Sequence, residues 1–286
     1  MPVINRFGRS LLALSLFISP ALLAQQDFSQ VQVVAHPVQG SVYYLEGSGG
    51  NIGLSIGEDG VVMIDDQFAP LTDKIMAAIR TLSDGEIRFL INTHIHGDHT
   101  GGNENFGRMG VMILARDEVR VRLAESAAPE ALPVLTFSED ITINLNGEAM
   151  HVISVPPAHT DGDAFIYFAG SDVLHLGDVF RTTGYPYIDL ANGGTLDGTL
   201  DALGVAIGMA GPNTRIIPGH GGVSTREDVR DFRDMILDVK SRVAALVAQG
   251  MNFDQVVAAR PTASYDARWG DPARFLQGVY AGVGGQ

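Results

Sequence analysis

Apolar and polar residues alternate in short runs through the first third of the chain. Those runs predict strands over residues 31–35, 41–46, 52–56 and 61–65. Gly and Asp-Gly between them predict a meander with tight turns. The spacing then lengthens: Leu71, Ile75, Ile79 and Leu82 recur at helical intervals, so residues 71–82 are expected to be a helix. Residues 87–92 read as a buried strand that runs directly into a histidine cluster, followed by a strand over 111–115 and a helix from 117 to about 125. The second half repeats the order. Strands are expected over 141–145, 149–155, 164–168 and 173–176, a helix over 196–209 and a strand over 215–217. A long amphipathic helix is expected over 225–249, with Ser224 or Thr225 as its N-cap. Two halves of the same order, if they face each other, would give stacked sheets flanked by helices, an α/β layered αββα sandwich, a choice to which the motifs below lead rather than the pattern alone.

The N-terminus follows a different pattern. Arg6 and Arg9 precede an apolar run over 11–18, Pro20 breaks that run, and Ala21-Leu22-Leu23-Ala24 supplies an approximate cleavage site. Residues 1–24 are therefore expected to be a signal peptide, leaving 25–286 as a single domain that is secreted or periplasmic. An uncleaved anchor is the rival expectation. No later stretch reaches the ~18 consecutive apolar residues of a membrane-spanning helix, so no stable membrane anchor is expected.

Composition narrows the chemistry. The chain has 45% hydrophobic residues, enough for a sizeable core, and no Cys, so any metal site must be built from His, Asp and Glu. Its formal net charge of −14 would repel phosphate backbones, which argues against a nucleic-acid partner. The same charge also keeps an exported protein soluble.

Three of the chain's eight His fall within His94-Ile95-His96-Gly97-Asp98-His99. Imidazoles and a carboxylate this close suit zinc or another divalent first-row metal. That turn cannot supply every ligand of a catalytic site. His159 in Pro157-Ala158-His159-Thr160, Asp178 in Leu176-Gly177-Asp178-Val179 and His220 in Pro218-Gly219-His220-Gly221 all stand where a strand gives way to a loop. Glycines beside Asp178 and His220 would let backbone approach a crowded site. Thr100 and Asp161 are candidate hydrogen-bond partners for the ligand imidazoles. Phe68, Tyr185 and Tyr187 are candidate pocket-lining aromatics. His175 reads as a satisfied core histidine, and His36 and His151 as structural or exposed.

This ordered set, H-x-H-x-D-H, a downstream His, G-D and P-G-H-G, resembles the metallo-β-lactamase superfamily over about residues 40–225. The resemblance implies an αββα sandwich with two Zn2+ ions at one sheet edge. It implies that His94, His96 and His159 bind one metal, that Asp98, His99 and His220 bind the other, and that Asp178 bridges them. A water activated between the metals would then attack a carbonyl, with Asp98 orienting it.

The substrate is less sharply marked. The resemblance makes β-lactam hydrolysis the best single expectation, yet Asp178 stands where the cysteine-bearing β-lactamases carry Cys. Asp at that place resembles glyoxalase II and lactonases instead. Arg181 occupies a position where those β-lactamases often hold a substrate carboxylate, and Asn192-Gly193-Gly194 resembles their oxyanion-assisting segment. Arg181 and Asn192 thus join Asp98 as candidate catalytic residues, although a solvated arginine and a turn residue are the plainer alternatives. The expected partner is a small molecule with a cleavable amide, ester or thioester. The same scaffold also supports iron-dependent oxygen chemistry of the persulfide dioxygenase kind, and a non-catalytic metal-binding module is a third class. The tail from Asp266 to Gln286 either packs back on the domain or meets a partner, and oligomeric state is left open.

Overall fold

The alternating segments pair in sequence order, as their pattern predicts. In the computed structural model, which describes residues 27–285, β1 (Val34–Gln39), β2 (Val42–Glu46), β3 (Ile52–Gly57) and β4 (Gly60–Ile64) form an antiparallel meander. Helix α1 (Thr72–Arg80) crosses to β5 (Ile87–Ile91), which lies parallel to β4. The short helices α2 (Gly97–Thr100) and α3 (Asn103–Arg108) lead to β6 (Met112–Arg116), and α4 (Asp117–Leu123) leads toward β7 (Leu135–Phe137). Both strands extend the parallel side, completing a seven-stranded sheet. The predicted signal peptide, residues 1–24, lies outside the described residues.

The second sheet has five strands. β8 (Ile141–Leu145), β9 (Glu148–Ser154), β10 (Ala164–Phe168) and β11 (Val173–His175) pair antiparallel, and α5 (Leu196–Met209) returns the chain to β12 (Arg215–Ile217), parallel to β11. Helix α6 (Arg226–Val247) begins at Thr225, which forms a capping box with Asp228.

Strand periodicity sorts the apolar residues into layers. Along β4, Val62 and Ile64 join the cluster between the sheets, whereas Val61 and Met63 pack outward with Ile75, Ile79 and Phe106. Along β10, Ala164, Ile166 and Phe168 face inward, and Phe165 faces outward toward Leu203, Phe232 and Ile236. The result is the helix–sheet–sheet–helix order that the motifs and the resemblance imply. No helix among the described residues is long and apolar enough to cross a membrane.

Two regions depart from expectation. The first strand runs over Val34–Gln39 rather than 31–35 and contains Pro37, with a register shift between Pro37 and Gln39. It is the edge strand, where a missing N–H is tolerated. Beyond α6 the chain forms α7 (Phe253–Ala258), α8 (Asp266–Trp269) and α9 (Ala273–Gly282). The tail packs back on the protein: Phe275, Leu276 and Val279 enter the same apolar cluster as α5 and α6. Tyr185 stacks on Phe275 with ring centroids 5.2 Å apart. At Gly278 a Cβ would come within 2.9 Å of the Ile188 Cβ, so α9 lies directly on the loop that follows Asp178.

Candidate metal centre

Four loops leave the C-terminal ends of β5, β9, β11 and β12 and converge. β5 ends at Ile91, so His94 and His96 stand beyond the strand, in the loop that leads to α2. His96 is the N-cap of α2, whose one turn carries Asp98 and His99. Asp178 sits in a short 3-10 turn over Gly177–Val179. Gly219 approaches so closely that a Cβ there would overlap the Asp178 carboxylate, and Gly50 lies as tightly against the His99 ring. Asn51 fastens the two sheets at this edge, its amide donating to Pro218 O and Gly221 O at 2.9 and 2.8 Å.

The seven candidate ligands form three overlapping groups whose donor atoms lie within 4.8 Å of one another: His94, His96 and His159; His94, His99 and Asp178; Asp98, His99 and His220. The outer two groups are the two triads expected from the motif. The middle group joins one His of each to Asp178. His159 Nε2 is 2.8 Å from His96 Nδ1, and the Asp178 carboxylate is 3.2 Å from both His99 Nε2 and His220 Nε2.

Four of the imidazoles, the buried His94, His99 and His159 and the half-buried His96, are oriented through their other nitrogen. His99 Nδ1 donates to Asp65 Oδ2 at 2.7 Å, His96 Nε2 to Asp189 Oδ2 at 2.7 Å and His159 Nδ1 to Tyr187 O at 2.6 Å. His94 Nδ1 pairs with Thr93 Oγ1 at 3.0 Å, and Thr93 in turn donates to Asp65. Such contacts fix the tautomer and leave one nitrogen facing the cluster. Asp65 holds this position with a left-handed backbone (φ 63°), a conformation that functional sites tolerate when neighbouring bonds enforce it.

The donor set fits a metal. His94 Nε2, His99 Nε2 and Asp178 Oδ1 are buried without a hydrogen-bond partner, an arrangement that is costly unless a cation completes it. Burial holds His94 well below the usual imidazole range and takes His159 down to about 4, so both present neutral rings. For His99, burial would act the same way, but the Asp65 and Asp178 carboxylates outweigh it and raise the group. Negative charge thus draws positive charge to the point where the donors meet. Burial opposes ionisation of Asp189, but bonds from Asn192 and His96 take it down to about 2. Carboxylate, imidazole and no thiolate suit zinc and comparable divalent ions.

The remaining expectations divide. Phe68, Tyr187 and Arg181 line the cavity of about 540 Å³ that opens over the donors, with Asp98 and His220. Asn192 stands behind Asp189, to which its amide donates at 2.7 Å, and accepts from Arg122. Thr100 donates to Ile95 O and His96 O, and Asp161 pairs with Arg122, so neither partners a candidate-ligand imidazole. The residues that do so, Thr93, Asp65, Asp189 and Tyr187, carry no motif. Only Thr93, adjacent to the cluster, offered a local signal. His175 is a fully buried core histidine with both nitrogens engaged, by Asn51 O and Gly177 N. His36 stacks on Tyr44, and His151 meets Thr142.

A hydroxyacylglutathione hydrolase from Nitrosococcus oceani is 29% identical over 157 residues, covering 53% of this chain and 55% of that protein. The 2,4-dinitroanisole O-demethylase subunit alpha of a Nocardioides species is 26% identical over 40% of its length. The chain thus spans about half the length of the curated relatives it matches. Among solved structures, a metallo-β-lactamase from Pontibacter korlensis superposes with a TM-score of 0.65 at 18% identity, covering 72% of this chain and all of that one. The sec-alkylsulfatase Pisa1 from a Pseudomonas species gives 0.72 at 16% identity, over 87% of this chain and 50% of its own. At these identities the likeness is one of fold. The metallo-β-lactamase superfamily model matches residues 37–236, from the first strand to the middle of α6 and across every candidate ligand, and the chain belongs to that superfamily.

Proposed function

We propose that the chain is an exported dinuclear zinc hydrolase that opens a carbonyl substrate with metal-activated water, β-lactams being the first class to test. The observation that carries this reading is the overlap of three donor groups with Asp178 between two triads. His94, His96 and His159 would hold one zinc, and Asp98, His99 and His220 the other. Zinc bound there would lower the pKa of a shared water toward neutrality and polarise the substrate carbonyl. Asp98, half-buried and 3.2 Å from His220 Nε2, lines the cavity and can take a hydrogen bond from the attacking water. Asp189 and Asp65 keep His96 and His99 in the ligating tautomer. Arg181 offers a guanidinium to a substrate anion. Asn192, through Asp189, steadies His96. The signal expected over 1–24 would carry the remaining 25–286, one domain on this reading, to the periplasm or beyond.

Asp178 and the relationship to a hydroxyacylglutathione hydrolase favour a second reading within the same chemistry, a lactone or thioester hydrolase. The discriminating experiment is a side-by-side panel of penicillins, cephalosporins, carbapenems, lactones and acyl thioesters on zinc-loaded protein. Ring opening of a β-lactam supports the first reading, and turnover confined to lactones or thioesters supports the second. Oxygen consumption with one bound iron, and hydrolysis of nothing in the panel, would defeat both.

A further inference from the structure

The wall of the metal cavity contains a residue that no motif marks. Arg274, near the start of α9, lines it beside Arg181 and Tyr187. A second cavity of about 360 Å³, walled by Tyr185, Trp269 and Phe275, has the same three residues in its lining. Arg181, Tyr187 and Arg274 therefore form the threshold between the two spaces. The Arg274 guanidinium lies 5.4 Å from the Tyr187 ring centroid, and that ring stacks at 5.8 Å on His96. Arg181 donates its Nε to Thr183 O at 2.7 Å.

Neither guanidinium has a carboxylate partner among the described residues. In a chain with 33 acidic residues and 19 Lys and Arg, such partners are plentiful. Arg122, by contrast, grips Asp161 with two nitrogens. The backbone that carries the exposed Arg274 side chain is held in place, because the next residues of α9, Phe275 and Leu276, are buried in the core and Gly278 rests on Ile188. Arg274 lies beyond the residues 37–236 that the superfamily model covers, so α9 adds it to the shared scaffold.

Arg181 stands where the resemblance already places a cation for a substrate carboxylate; we propose that Arg274 joins it as a second fork on that carboxylate, with the apolar or aromatic body of the substrate in the second cavity and its reactive group facing the metal donors. Two planar forks with free N–H groups match a carboxylate in geometry and charge. Tyr185, Trp269 and Phe275 border this cavity, almost wholly buried behind its surface, together with Pro186 and the Asp271 carboxylate. The position of the reacting end rests on the hydrolase reading; the clamp itself does not.

Trp269 is the chain's one tryptophan and lines the second cavity, so its fluorescence reports occupancy directly. The purified protein would be titrated with phenylacetate, phenylacetamide and phenyl sulfate. Phenylacetate is expected to change Trp269 emission with saturation. Arg274→Ala and Arg181→Ala should each raise its Kd about tenfold or more, with Arg274→Lys between. Phenylacetamide should bind more weakly and be indifferent to all three substitutions. The proposal is overturned if acid and amide titrate alike, or if Arg274→Ala keeps the wild-type Kd. Tenfold tighter binding of phenyl sulfate would overturn the assignment to a carboxylate. An intact clamp in protein that neither holds metal nor hydrolyses any panel substrate defeats the hydrolase reading alone; hydrolysis without the acid preference defeats the clamp alone.

Discussion

The floor and the rim of the pocket are built on different principles. At the floor, His94, His99, His159 and Asp178 are almost wholly buried, and hydrogen bonds to Asp65, Thr93 and Tyr187 O fix their imidazoles. At the rim, Arg274 is exposed and owes its position to the apolar packing of α9 against Tyr185 and Ile188, while Arg181 and Tyr187 are half-exposed on the loop that bridges to His220 and bonds His159. Hydrogen bonding positions the reacting groups, where tenths of an ångström matter. Packing positions Arg274, the one of these three that comes from a segment beyond residues 37–236. The difference implies that chemistry and selectivity can be perturbed separately.

The strongest way to separate them is Phe275→Ala. Losing a fully buried ring in the cluster under α9 should destabilise the protein by about 3–5 kcal/mol in urea unfolding. It should also loosen Arg274, weakening phenylacetate binding while metal content stays at the wild-type level. A fall in metal content would show that floor and rim are one unit.

A buried histidine that is no ligand sharpens the account of the floor. His175 has both nitrogens satisfied only when neutral, and burial takes it down to about 4 from an ordinary 6.5. Its contribution to stability is then present above pH 6.5 and lost as the pH falls toward 4, by about 3 kcal/mol in total. In metal-free protein, His175→Gln should flatten the acid limb of the stability–pH curve by one proton's share. An unchanged slope would mean that His175 is charged in the folded state.

The smallest expected effect concerns orientation. Asp189→Ala leaves His96 free to turn, and should weaken metal binding by about 10–100-fold without altering the preference of the rim for an acid over its amide. Metal titration of the variant beside a phenylacetate titration checks both halves.

What could be read from the chain follows the same division. The candidate ligands could be picked out because each lies in a short glycine-marked segment after an apolar run, and the strands and helices because the period changes from two to 3.6 along the chain. Asp65 and Asp189 were not, since each meets its histidine across 34 and 93 residues and only the topology brings them together. Asp161 and Thr100 looked better placed in sequence, yet Arg122 takes the first and the α2 backbone the second. Helix α9 shows an apolar face with nothing local to say what it covers; its partners, Tyr185 and Ile188, are some 90 residues earlier. Arg274 becomes a pocket residue only through that docking.

The central claim is that seven side chains hold two metal ions with Asp178 between them. Metal analysis of the purified, zinc-equilibrated protein tests it most directly, with Asp178→Ala alongside. The account predicts two zinc ions per chain, at least one of them lost in the variant together with hydrolytic activity. A single ion per chain that survives Asp178→Ala would contradict it.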